Sequence, residues 1–295
     1  MMARRRSVLA AGGGLLAALA GCLSPTSGRP SGRTDTASNG TKETTTTAPA
    51  TTGETGPLPF GRPYDGDGFV LEPRDPAVRE SLVYSAPGEV ESHRRLGIHD
   101  GGGDRFLLLG VDVSRSDGDR PPRSAYRVAV SGDRFESWTQ WLNFDWEHPD
   151  GNPYGNTRTG SPGSMLGFTL PAPVSGDPEL VFRGENATVR WSLPDDVVEE
   201  LAAPPPEWEL LSHDVDTSDV PGSASIEFEN VGDGDGLFRA VLVTEGNAYY
   251  SRALSYPVAP GESRTVTARF PSPRGGSPVH DYLVDTVAGG FSADA

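Results

Sequence analysis

The sequence predicts an all-β protein in which two β-sandwich domains follow one another after a disordered, threonine-rich tether. Three observations carry that expectation. Short apolar runs, several with strict two-residue alternation, recur from residue 106 towards the C-terminal end, each bounded by Gly, Pro, Asp or Ser. One stretch alone, Pro194 to Leu201, has helical spacing. In residues 23–57, Thr, Ser, Gly and Pro fill 24 of 35 positions, too few apolar groups to repay the entropy of ordering.

Residues 1–22 form the first element. Arg4, Arg5 and Arg6 precede an apolar run of Ala, Gly and Leu that ends in Leu19-Ala20-Gly21-Cys22. A basic start, a short apolar stretch and small residues before a break describe a secretory signal, too short to remain across a hydrocarbon layer of roughly 30 Å. The alternative, an uncleaved anchor, is disfavoured by Gly12-Gly13-Gly14 within the run. Arg5 and Arg6 followed by Ser7-Val8-Leu9 resemble a twin-arginine export signal, and Leu19 to Cys22 resembles a lipobox. The resemblance implies cleavage before Cys22, lipidation of that cysteine, and a lipid-anchored protein on the extracellular face of the membrane. A polybasic patch beside the anchor is lacking, so the lipid itself must hold the protein.

Charge and cysteine usage narrow the partners. The chain carries 25 Lys and Arg against 41 Asp and Glu, and Lys42 is its single lysine. Acid excess with arginine in place of lysine resembles the proteins of salt-loving archaea. At molar salt the Debye length falls to about 3 Å and such self-repulsion is screened. Nucleic acid is not an expected partner, because binding it takes basic surface that displaces counterions. Cys22 is the only cysteine and is consumed by the anchor. The folded part therefore has no disulfide, no thiolate nucleophile and no blue-copper site.

The tether, 23–57, reads as a stalk reaching roughly 30–35 Å r.m.s. as a flexible coil. Thr44 to Thr47 suit O-glycosylation, and Asn39-Gly40-Thr41 is a sequon for N-glycosylation. A second sequon, Asn186-Ala187-Thr188, falls in an expected turn between strands.

The first domain is expected over 58–203. Phe106 to Val113 reads as a buried strand. Tyr126, Val128 and Val130 share a face. Further strands are expected at Met165–Leu170, Leu180–Phe182 and Val189–Trp191, before a two-turn helix carrying Val198 and Leu201 on its apolar side. Pro204-Pro205-Pro206 is the expected hinge, since triproline is stiff and cannot continue a sheet.

The second domain is expected over 207–295. Ile226 and Phe228 share a face; Phe238, Ala240 and Leu242 oppose Arg239, Val241 and Val243; Val266, Ala268 and Phe270 alternate with polar neighbours; a last strand runs from Tyr282 to Val287. Roughly seven short strands in about 90 residues have the rhythm of an immunoglobulin-like sandwich. Phe228-Glu229-Asn230-Val231-Gly232-Asp233-Gly234-Asp235-Gly236-Leu237-Phe238 and Val258-Ala259-Pro260-Gly261-Glu262-Ser263 resemble the strand ends and turns of CARDB-type adhesion modules. Phe106 to Val113 and Gly163 to Pro171 are similar to telokin-like lipoprotein domains, with Ser114 to Asp119 in place of their usual strand end. Both resemblances imply two immunoglobulin-like domains on a surface lipoprotein.

Catalytic motifs are few. Gly-x-Ser-x-Gly is missing. Gly232 to Gly236 has the glycines of a phosphate loop but two carboxylates and no Lys. His93, His99, His148, His213 and His280 are scattered, with no metal-ligand spacing. The pairs Asp65/Asp67, Asp117/Asp119 and Asp233/Asp235 present hard oxygens without the full calcium loop, and Asp-Gly is ordinary turn chemistry. The sharpest local feature is aromatic: Trp138, Trp141, Phe144, Trp146 and Tyr154, interleaved with amides and acids, suit a sugar-stacking platform, or else Trp138, Trp141 and Phe144 fill the sandwich core while His148 to Gly155 form a long solvated loop.

The expected function is therefore a lipid-anchored binding, adhesion or accessory module. No catalytic residue, cofactor or metal is assigned, and its partner is another surface protein or a glycan. Trp138, Trp141, Trp146 and Tyr154 are the candidate ligand-binding residues. The alternative is an exported carbohydrate-binding or carbohydrate-active protein using residues 138–154, with Asp145, Glu147 and His148 as its polar groups. A solute-capturing subunit would need two α/β lobes, and the helices for them are lacking.

Overall fold

The computed structural model describes residues 56–86, 95–115, 121–138, 143–144, 165–246, 248–273 and 278–295. In chain order the strands of the first part are β1 (Leu58–Pro59), β2 (Tyr64–Gly66), β3 (Phe69–Arg79), β4 (Ser81–Ala86), β5 (Arg95–Asp100) and β6 (Asp104–Arg115). They are followed by β7 (Tyr126–Val130), β8 (Asp133–Glu136), β9 (Asn143–Phe144), β10 (Met165–Pro171), β11 (Glu179–Arg183), β12 (Thr188–Ser192) and the helix α1 (Asp195–Ala202). The second part holds β13 (Trp208–Asp216), β14 (Ser223–Asn230), β15 (Gly236–Gly246), β16 (Tyr249–Val258), β17 (Ser263–Arg269), β18 (Val279–Thr286) and β19 (Gly289–Asp294). The protein is all-β, built of sandwiched sheets with one short helix.

A five-stranded sheet, β1-β12-β11-β7-β8, and a four-stranded sheet, β10-β6-β3-β2, enclose the first core. Leu107, Leu109, Val128, Phe168, Phe182 and Trp191 fill it. Trp191 is wholly buried, and its indole N–H donates to the Arg62 carbonyl at 2.8 Å. Helix α1 closes one end with Val197 and Leu201, four residues apart and so on one face. Val198, expected in that role beside Leu201, is only partly buried.

Strands β3 and β6 do not stop at the edge of this sandwich. Beyond a bend at Glu80 they continue as β4 and β5, so that one long hairpin leaves the first sandwich as an arm. Gly101 makes the bend: its N–H donates to the Glu80 carbonyl at 3.1 Å, and a Cβ there would collide with backbone oxygens of Asp104 and Glu80. The arm, with β9 added on its far side, is a third sheet of order β5-β4-β9.

The second sandwich pairs β13-β14-β17 with β16-β15-β18-β19. Counted along this part alone, strands one, two and five form one layer and strands four, three, six and seven the other. Phe228 and Phe238 stack across the gap with ring centroids 3.5 Å apart, joined by Ile226, Leu242, Phe270 and Tyr282. The Tyr282 hydroxyl accepts the Gly222 N–H at 2.9 Å. The strand expected as the last, Tyr282–Val287, is β18 over Val279–Thr286, and it is followed after a two-residue turn by a further strand, β19. Its Gly289-Gly290 start leaves only Phe291 and Ala293 to alternate, too short a pattern to reveal it.

The arm explains why β15 is buried on both faces. Phe238, Ala240 and Leu242 face the second core, whereas Val241 and Val243 lie under Val83, Leu96 and Ile98 of the arm. Two outward N–H groups of the edge strand β5 find acceptors on the second sandwich. Ile98 donates to Asp285 Oδ2 at 3.0 Å and Leu96 to Ser251 Oγ at 3.2 Å. An edge that would otherwise stand open is satisfied in this way.

Pro204 to Pro206, read above as the hinge, lie against the turn Gly232 to Gly236. A Cβ on Gly232, Gly234 or Gly236 would come within 3.0 Å of the proline segment, so the glycines are there to let two backbones touch. Asn230 organises the turn from a fully buried position. Its amide donates to the carbonyls of Gly234 (2.8 Å) and Val258 (3.2 Å), and its Oδ1 accepts from Gly232 (3.1 Å) and Glu207 (3.3 Å). A phosphate-like glycine pattern thus serves as a proline cradle.

Candidate functional site

Trp138 is the one member of the aromatic platform whose side chain is described. Trp141, Trp146 and Tyr154 lie outside the described residues, as do Asp145, Glu147 and His148. Phe144 is described only as backbone, paired with Tyr84 in the third sheet. Trp138 does not enter the sandwich core. It packs on the outer face of the four-stranded sheet, edge-on to Phe106 at 5.6 Å, in a satellite cluster with Ala77, Leu82 and Leu108. Its N–H donates to Thr169 Oγ1 at 3.0 Å, and its ring lies over Gly167, where a Cβ would collide with it. These contacts make Trp138 a half-buried strut at the root of the arm.

Buried charge concentrates where the arm leaves the first sandwich. Arg105 is 3% exposed, yet heads the apolar run of β6. Its guanidinium donates to the carbonyls of Glu200 (2.6 Å), Pro204 (2.9 Å) and Ala203 (3.2 Å), and lies 3.9 Å from Glu80. It therefore caps the C-terminal end of α1, whose last turn has no basic residue of its own. Glu80 in turn accepts the Leu237 N–H at 3.4 Å. Burial raises the Glu80 carboxyl above its ordinary range, against the opposing pull of that hydrogen bond and of Arg105. Burial raises Glu200 likewise. Glu80, Glu200, Leu237, Arg239 and Pro257 line a cleft of about 380 Å³ between the two sandwiches. Sequence reasoning missed this group. Its signal was an arginine placed directly before the apolar run Phe106 to Val111, at a position that alternation alone gives no reason to fill with charge.

The sequon residue Asn186 is exposed beside a second cleft of about 640 Å³, lined by Asp67, Phe69, Pro122, Phe182 and Gly184. Its side-chain amide donates to Asp67 Oδ1 at 3.0 Å. Nearby, burial and then the charges of Asp67 and Asp65 push the Tyr64 hydroxyl up from its usual range. Cys22, Arg5, Arg6 and Asn39 lie outside the described residues, as do Asp117 and Asp119.

The remaining candidates have structural surroundings. His99 stacks on Phe106 and His213 on Phe291, with centroids 5.2 and 4.1 Å apart. Asp233 and Asp235 sit in the proline-cradle turn. Among the described residues no three His, Cys, Asp or Glu side chains converge as metal ligands, and no helix is long and apolar enough to cross a membrane.

No family model matches the chain, and no curated protein matches it. Among solved structures, a DUF4785 family protein from Legionella pneumophila aligns over 77% of this chain and 81% of its own, at 8% identity and a TM-score of 0.21.

Proposed function

We propose that this chain is a lipid-anchored cell-surface binding or adhesion module, exported through a twin-arginine signal and tethered by Cys22. In this reading both sandwiches are immunoglobulin-like, which is supported in the second by its strand order and its Asn230-centred turn. The partner is another surface protein or a glycan.

The observation that carries the reading is the locked joint. Val83, Leu96 and Ile98 of the arm bury against Val241, Val243 and Leu283, and the Ile98–Asp285 hydrogen bond satisfies the arm's edge. Two sandwiches held as one body at the end of a stalk suit the presentation of a fixed surface away from the membrane. Such a joint does not suit closure of domains around a substrate. The acid excess keeps that surface hydrated in strong salt.

Fractionation of expressing cells tests the anchor. The wild-type chain is expected to pellet with membranes and to incorporate labelled lipid, and Cys22→Ala to be recovered in soluble form. Membrane retention of Cys22→Ala at the wild-type level would overturn the anchoring. Cross-linking on intact cells at native salt is expected to enrich one protein or glycan, and recovery of neither would remove the binding role.

A further inference from the structure

Four arginines gather on the outer face of the five-stranded sheet, in a chain whose acids far outnumber its bases. The register places them. Val181 at the centre of β11 stands opposite Arg190 on β12 and Arg127 on β7. Arg183 lies two residues further along β11 and so on the same face. On the next row Ala129 of β7 stands opposite Arg134 of β8. Together they line an open groove of about 340 Å³.

Arg190 is paired with Glu179. The guanidinium groups of Arg127, Arg134 and Arg183 have neither a hydrogen bond nor an ion pair among the described residues. Two acids share this face, Glu179 on Arg190 and Glu136 of β8 opposite Arg127, and among the described residues no ion pair joins Glu136 to Arg127, so four arginines stand against two carboxylates as a net positive patch in an acidic chain. Val181, on the solvent side of the sheet, is nevertheless only 6% exposed, which fits arginine stems lying over it and charged heads standing in water.

We infer that this face binds an acidic polysaccharide, a sugar chain bearing carboxylate or sulfate groups at intervals. The inference deepens the surface-binding reading above and rests on it. Arginine forks suit such groups, because two parallel N–H donors match the two oxygens of a carboxylate or sulfate. Arg127 and Arg190 sit on strands either side of β11, about 9–10 Å apart, which matches charges spaced along a chain better than a single small anion. Duplex nucleic acid carries a charge every 1.7 Å or so, far denser than four arginines can meet inside an acidic protein. A protein partner would want an apolar anchor at the centre, and the residue there, Val181, is covered.

The test uses the purified full chain in detergent, with polygalacturonate and heparin as acidic probes and dextran, poly-glutamate and duplex DNA as comparisons. Polygalacturonate separates carboxylate recognition from the sulfate recognition that heparin reports. The wild-type chain is expected to bind at least one of the two and not dextran. Arg127→Gln/Arg183→Gln is expected to weaken that binding roughly tenfold or more. Arg134→Gln alone is expected to give a smaller loss. Arg264→Gln/Arg269→Gln, on the second sandwich, is expected to leave it unchanged. Circular dichroism shows whether each variant is folded. Equal affinity of the double variant and the wild type would overturn the inference, as would failure to bind either acidic polysaccharide. Equal or tighter binding of poly-glutamate or DNA would assign the face to a different class of partner and overturn it too. Because this assay needs no membrane, its outcome is independent of whether Cys22→Ala releases the chain from cells.

Discussion

Replacing Arg105 by leucine removes the group that ties the arm's root to the end of α1 and to the start of the proline segment. Three carbonyls, of Glu200, Ala203 and Pro204, lose a charged donor at 2.6 to 3.2 Å, and Glu80 loses the cation 3.9 Å away. The guanidinium itself is only 3% exposed, so its donors are largely shielded from water. Each charged hydrogen bond contributes about 1.5–3 kcal/mol, partly offset because leucine relieves the burial of a guanidinium. Removing one partner of a buried ionic group costs about 3–5 kcal/mol in net, and that is the loss expected here. For a body of this size it corresponds to roughly 10 °C in Tm. Urea denaturation followed by far-UV circular dichroism measures it. Arg105→Lys is expected to recover only part of the loss, since one ammonium on a flexible stem does not reproduce the planar fork. Adding Glu80→Gln to Arg105→Leu is expected to return a portion by discharging the stranded carboxylate. A loss below about 1 kcal/mol for Arg105→Leu would refute the reasoning that this guanidinium holds the joint.

The same joint has a pH signature. Burial raises the folded-state pKa of Glu80, so the folded chain holds that proton more tightly than the unfolded chain does. The stabilisation is complete below the ordinary carboxylate range and is lost as pH rises through the raised folded value. Glu80→Gln keeps the acceptor for the Leu237 N–H and abolishes this titration. Its urea midpoint is expected to fall less than that of the wild type between about pH 4 and pH 8, with Glu200 supplying the residual slope. Identical slopes would exclude Glu80 as a source. Gly234→Ala places a Cβ against the Pro204 carbonyl and is expected to cost about 2 kcal/mol, read from the same urea curves. A neutral result would mean that the prolines are not seated in the glycine turn.

Much of the strand pattern was legible because alternation is a local property. Tyr126, Val128 and Val130 are buried together, and Ile226 and Phe228 share the second core, as their spacing predicts. The turns at Asn230 and Gly261 were visible as turns. Their purpose was not, because the partner of Gly232 to Gly236 is a proline segment some 30 residues earlier in the chain. The helix was legible to within one residue at each end, with Val197 rather than Val198 taking the buried position.

What the sequence determined by itself is the class of structure: β-sandwich strands and a triproline junction, set by residue choices within a few positions of one another. The tertiary structure alone decided the rest. Whether the second face of β6 or β15 is core or surface depends on the arm, and two-residue periodicity is silent about what covers a face. Arg105 and Glu80 meet because a hairpin bends at Gly101, and the four arginines form one face because β12, β11, β7 and β8 lie side by side. The separation along the chain is long between Glu80 and Arg105 and between the Arg127/Arg134 and Arg183/Arg190 hairpins, and only the pairing of strands brings their charges together.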